Sequence, residues 1–126
     1  MDRMEEVRAL RADPQVHYNC CQAVLVPFCE ACGLSREQAF ALGSNFGSGM
    51  RHGSTCGAVT GALMVLGMAG ADSQAGTELL RRFRAKNQTL DCASLLRMAS
   101  ERGEERKSHC DRMVFDAAEL LEELMK

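Results

Sequence analysis

The stretch GSGMRHGSTCGAVTGALMVLG, residues 47–67, decides the fold. Gly47, Gly49 and Gly53 make its first part a loop, because glycine is used where a backbone turns sharply or approaches a neighbour closely. From Thr55, a residue suited to an N-cap, apolar residues continue to Gly70 without two-residue alternation, which predicts a helix. Gly57 and Gly61 lie four apart on one face of it, so a second helix is expected to pack closely there. The most apolar part, Ala58 to Ala71, is interrupted by Thr60 and by glycines and falls short of the ~20 residues of a membrane span. It reads as a buried core helix.

Helix signals recur on both sides of this stretch. Asp2 to Arg11 forms an amphipathic lead-in that Asp13-Pro14 interrupts, since proline lacks a donor and biases its predecessor away from helix. Asn19 with Gln22 makes a capping box opening a helix that ends at Gly33 and is kinked by Pro27. Ser35 with Gln38 opens another, running to near Gly47. Ser73 to Asn87 places Leu79, Leu80 and Phe83 inward, and Asp91 starts a short helix ending near Gly103. The run ERGEERK, residues 101–107, reads as a solvated linker. Ser108, with Asp111 in the first turn, opens a last helix whose stripe is Val114, Ala117, Ala118, Leu121 and Leu124. The expectation is an all-α protein, a compact bundle of five to seven helices in a single domain over residues 1–126, with residues 1–13 as the lead-in helix.

Composition narrows the function. The chain has 126 residues, 46% apolar and 25% charged, enough for one core. A net charge of −2, with one Tyr, five Phe and no Trp, argues against nucleic-acid binding. The opening MDRMEEVRAL has no apolar core of a secretory signal, so no leader and no membrane insertion are expected. Seven cysteines is a high and odd number for a disulfide scaffold. A reducing cytoplasm is therefore the expected location, with thiols free for redox or metal chemistry.

Four of those cysteines follow cap-type residues. Asn19 precedes Cys20, Thr55 precedes Cys56, Asp91 precedes Cys92, and Ser108 stands two before Cys110. A helix start presents unpaired N–H groups and the positive end of the dipole, a gain for an anion of roughly 0.3–1 kcal/mol and up to ~2 when partly buried. That lowers a thiol from ~8.5 by about one unit. Stronger activation needs a cation, for which Arg51, His52 and His109 are the candidates nearest in sequence. On this reading Cys56 should be the most reactive, with Thr55 as its cap and a glycine loop leaving a path to solvent. His52 and His109 otherwise read as exposed loop and cap residues, His17 as incidental, and the methionines as core filler.

The gaps of 36, 36 and 18 residues match no zinc-finger or ferredoxin spacing, so any shared site must be assembled by the fold. Cys29-Glu-Ala-Cys32 is a CxxC, but it falls at a helix C-terminus, where the dipole disfavours thiolates. Cys21 reads as packing. No Ser-His-Asp, HExxH, Walker or dinucleotide pattern is present.

The segments NCCQAVL and Cys56-Gly57-Ala58-Val59-Thr60-Gly61, with Asp91-Cys92 and His109-Cys110, resemble the C_GCAxxG_C_C family, grouped under redox activity. The resemblance runs from about Tyr18 to the C-terminus, making residues 19–126 the family-like core. It implies that the family cysteines fall on Cys20, Cys56, Cys92 and Cys110. Cys21, Cys29 and Cys32 lie outside the pattern, and their role stays open.

Three functions follow. The first is a redox-active protein using Cys20, Cys56, Cys92 and Cys110 for thiol–disulfide or electron-transfer chemistry; were it an enzyme, it would be a thiol-dependent oxidoreductase. The second is an iron–sulfur cluster or other metal held by the same four cysteines. The third is a non-catalytic helical adaptor with cysteines in its core. Substrate, redox partner and cofactor, if any, are left open, as is a homodimer.

Overall fold

Caps and breakers set most of the helix ends in the computed structural model, which describes residues 2–126; Met1, where the expected lead-in segment begins, lies outside them. α1 spans Arg3–Ala12, opened by Asp2 accepting the Glu5 N–H at 2.8 Å and closed by Asp13-Pro14. α2 spans Cys20–Phe28, with the Asn19/Gln22 capping box formed in both directions. It ends one residue after Pro27, whose missing N–H and ring stop the ladder, and the chain tightens into a 3-10 turn over Glu30–Cys32 before Gly33 at φ +81°. α3 spans Arg36–Gly43 behind the Ser35/Gln38 box, and α5 spans Ser73–Asn87. α6 spans Cys92–Glu101 and is capped by Asp91.

Two helix starts differ from the sequence reading. α4 spans Gly57–Met68, and its N-cap is Cys56 itself rather than Thr55. Thr55 is drawn away by an isolated antiparallel bridge to Asp91. α7 spans Arg106–Leu124 with Glu105 at the N-cap, so Ser108 lies inside the helix and Cys110 is its fifth residue rather than part of a first turn. Charged side chains do not end a helix; Gly103 at φ +75° does, and α7 begins soon after it.

Among the described residues there are seven α-helices and no strand, the all-α bundle expected. α2 is buried along almost its whole length, packed between α4, α3, α7 and α1. Its closest partner is α4, and the two glycines explain why. A Cβ at position 57 would lie 3.2 Å from the Cys21 amide nitrogen, and one at position 61 would lie 2.8 Å from the Cys21 carbonyl oxygen. Val24, Phe28, Val59 and Val65 of these two helices share one buried core with Val114, Ala117 and Leu121 of α7. No helix among the described residues is long and apolar enough to cross a membrane.

The loop before α4 contains an unusual turn. Ser48, Gly49, Met50 and Arg51 all have positive φ, a single turn of left-handed backbone that costs roughly 1–2 kcal/mol for each non-glycine residue. Gly49 is required there for a second reason: a Cβ would lie 2.7 Å from that of Cys92.

Candidate functional site

Cys20, Cys56, Cys92 and Cys110 come from four helices, and each approach has a local cause. The bridge laces the starts of α4 and α6 through the two cysteines' own amides: Cys56 N donates to Leu90 O at 2.8 Å, and Cys92 N donates to Ser54 O at 2.7 Å. Gly57 brings α2 alongside, since a Cβ there would sit 3.3 Å from that of Cys20. Arg11 brings in α7 by pairing through Nε with Asp111 at 2.7 Å while Nη1 donates to Tyr18 O at 2.8 Å, just before α2. Lys107 reinforces that tie through Asp111 and the Arg11 carbonyl.

All four cysteines line one internal cavity of about 30 Å³, room for a single water. Cys20 and Cys110 also line an open groove of about 700 Å³ between the end of α1 and the start of α7. They are the only two of the four to border both spaces. All seven cysteines are free thiols. Among the described residues, no set of three or more Cys, His, Asp or Glu side chains is drawn together as a metal site.

The four thiols are not electrostatically equivalent. The Cys20 thiol, facing Cys110 as a donor, is the largest influence on that sulfur. Arg11 and Arg106 add to it, against burial and Asp111, and bring Cys110 down to about 6. Cys20 is pushed well above the ordinary thiol range by the bond it gives to Cys110, by burial and by Cys56. Burial pushes Cys56 up to about 11, although the Ala58 and Val59 amides oppose the rise. Burial and the nearby Cys110 also raise Cys92, with Arg106 pulling the other way.

The grounds for expecting Cys56 to be the most reactive thiol are not met: it is only 4% exposed and Thr55 does not cap it. Arg51 turns outward to Asn45 Oδ1 at 3.2 Å. The positive charge comes instead from Arg11 and Arg106, which sequence reading missed. Arg106 was legible in principle, because it stands four before Cys110 on one helical face once α7 is started at the right residue. Arg11 was not, since only the folded α1–α7 contact brings it close.

His109 is the other departure. It is 2% exposed rather than an exposed cap, and it borders the cysteine cavity. Its Nδ1 has no hydrogen-bond partner among the described residues and stands 3.6 Å from Glu104 Oε1, too long for a bond. Burial lowers its pKa, so the ring is neutral at neutral pH.

Of the remaining cysteines, Cys21 is buried against Gly61 and driven up to about 12 by burial. Cys29 is buried, while the half-buried Cys32 directs its sulfur to Val65 O at 3.9 Å. None of the three borders the groove or the cysteine cavity.

Fold and site together define a helical bundle with a cysteine-lined internal cavity opening beside a surface groove. The chain belongs to the C_GCAxxG_C_C family: residues 18–124 match the family model described as "Putative redox-active protein (C_GCAxxG_C_C)". No curated protein and no solved structure matches it.

Proposed function

We propose that the protein is a thiol–disulfide redox protein in which Cys110 is the attacking thiolate and Cys20 the resolving thiol. The observation that carries this reading is that Cys20 and Cys110, alone among the four cysteines, border both the inner cavity and the open groove, with Arg11 and Arg106 favouring the Cys110 thiolate. The Cys110 thiolate attacks one sulfur of a disulfide R–S–S–R, forming Cys110–S–S–R and releasing R–S⁻, which takes the Cys20 proton. The Cys20 thiolate then attacks the Cys110 sulfur, forming the Cys20–Cys110 disulfide and releasing the second R–S⁻, which is protonated from solvent. Two thiols of the protein are oxidised and one external disulfide is reduced to two thiols. In the reverse direction the protein oxidises a dithiol. A stabilised thiolate favours the reduced form, so the couple should be comparatively oxidising.

A second reading, an iron–sulfur cluster or other metal on these four cysteines, is favoured by their lining one cavity with a buried imidazole. It requires the side chains to turn inward from their present arrangement. Protein purified without oxygen separates the two through metal content, visible spectrum and thiol count. The thiol reading expects no bound metal, titratable thiols, and a disulfide mapped by peptide mass to Cys20 and Cys110 after mild oxidation. Stoichiometric iron with a charge-transfer band would overturn it.

A further inference from the structure

The groove beside Cys110 has a shape and charge pattern that name a class of substrate for the exchange proposed above. Its volume of about 700 Å³ is that of a pocket for one small molecule rather than a track for a folded partner. Leu10, Pro14 and Val16 give it an apolar side, and Val16 is 40% exposed, free to be covered by a ligand.

Its charges fall into two groups. Arg11 and Lys107 are both engaged with Asp111, at 2.7 and 3.0 Å, and so serve the α1–α7 tie. Asp13 Oδ1 accepts the Gln15 and Val16 N–H groups, which ties that carboxylate to its own turn although it has no cationic partner among the described residues. That leaves Glu105 and Arg106, neighbours at the start of α7, and neither belongs to an ion pair among the described residues. Arg106 is held only by a 3.4 Å contact from Nη2 to Ser48 Oγ, and it borders both the groove and the cysteine cavity. A free cation and a free anion that are neighbours in sequence, lining the same groove as Cys110, match the carboxylate and ammonium of an amino acid.

We infer that the groove binds a small amino-acid or short-peptide disulfide, Arg106 pairing with its carboxylate and Glu105 with its ammonium, so that its sulfur is presented to Cys110. Bond changes are those given above, with this disulfide as R–S–S–R. The inference rests on the Cys110 reading, and its test separates the failure of one from the failure of the other.

Reduced, metal-free protein is oxidised by oxidised glutathione or by uncharged hydroxyethyl disulfide, and formation of the Cys20–Cys110 bond is timed. The Arg106→Gln protein should lose roughly fivefold in the glutathione-to-neutral rate ratio, the size expected of one partly exposed ion pair. Arg106→Lys should keep most of that ratio. The ratio is the readout because Arg106 also acts on the Cys110 thiolate, which would slow both reagents equally. An equal slowing, or no change, overturns the binding role of Arg106 and leaves the thiol reading standing. Failure of both reagents to join Cys20 and Cys110 in the unaltered protein would sink the thiol reading itself. A Cys20→Ser variant, expected to trap glutathione on Cys110 by mass, keeps the test open if an arginine variant folds poorly.

Discussion

Two cysteine pairs in this chain make opposite use of proximity. Cys29 and Cys32 are three residues apart, while Cys20 and Cys110 stand near opposite ends of the sequence. Yet Cys29 is sealed in the core at a helix C-terminus and raised by burial, while Cys20 and Cys110 both border an open groove. What separates them is surroundings. The first pair has a helix end of the wrong sign, and Arg36 does not offset the burial of Cys29; the second has Arg11, Arg106 and an entrance. A short CxxC spacing guarantees that two sulfurs are near, and nothing about whether either is ionised or reachable.

The largest expected effect on this contrast comes from Gly57→Ala. Its methyl would lie 2.5 Å from the Phe46 carbonyl oxygen in the α3–α4 connection and 3.2 Å from the Cys21 amide nitrogen of α2, so both must give way and Cys20 with them, at a cost of about 3 kcal/mol. Gly67, in the same helix with nothing within 4 Å, is the control: Gly67→Ala should stabilise by about 0.5 kcal/mol. Urea unfolding compares the two. Equal losses would mean that close approach at position 57 is not what holds the site end together.

Alkylation kinetics sharpen the contrast directly. At neutral pH about nine-tenths of a thiol near 6 is ionised, against about a hundredth of one near 9, a ratio of about a hundredfold. The weaker nucleophilicity of a low-pKa thiolate gives back about twentyfold, and burial of Cys29 widens the gap again. Cys110 should therefore react at least about fivefold faster than Cys29 when peptides are read by mass. Parity would refute the account of the Cys20–Cys110 pair.

A third test makes one pair resemble the other. The Cys110 alkylation rate should rise with pH through a midpoint near 6, because the thiolate is the nucleophile and its pKa is lowered. Cys20→Ala removes the donor that stabilises the thiolate, so the midpoint should move upward by about one unit or more. Cys20→Ser, which keeps a donor, should move it less. An unmoved midpoint in the alanine protein would assign the activation to Arg11 and Arg106 alone.

The smallest effect is expected of Thr55→Val. Thr55 holds its place through the backbone bridge to Asp91 and supplies no cap, so stability should change by no more than about 0.5 kcal/mol. Cys56 alkylation should be unaltered. A marked slowing would restore a capping role that the present geometry denies it.

The sequence by itself determined the helical class, most helix ends and the importance of Gly57 and Gly61. These are local matters: the Asn19/Gln22 and Ser35/Gln38 boxes, the Asp13-Pro14 break and glycine spacing act within a turn or two of chain. Local capping also singled out the four cysteines that come to line one cavity, even though two of its helix starts were misplaced. Which sulfur is activated was decided by tertiary structure alone. The pKa of Cys110 depends on a thiol and a guanidinium brought from α2 and α1, and on how much water each sulfur keeps. Burial works against Cys56, the thiol that capping favoured, because the α4 seam that places it also seals it. Charge and solvent act through space over a few ångströms, and only the folded chain fixes which residues lie within that distance.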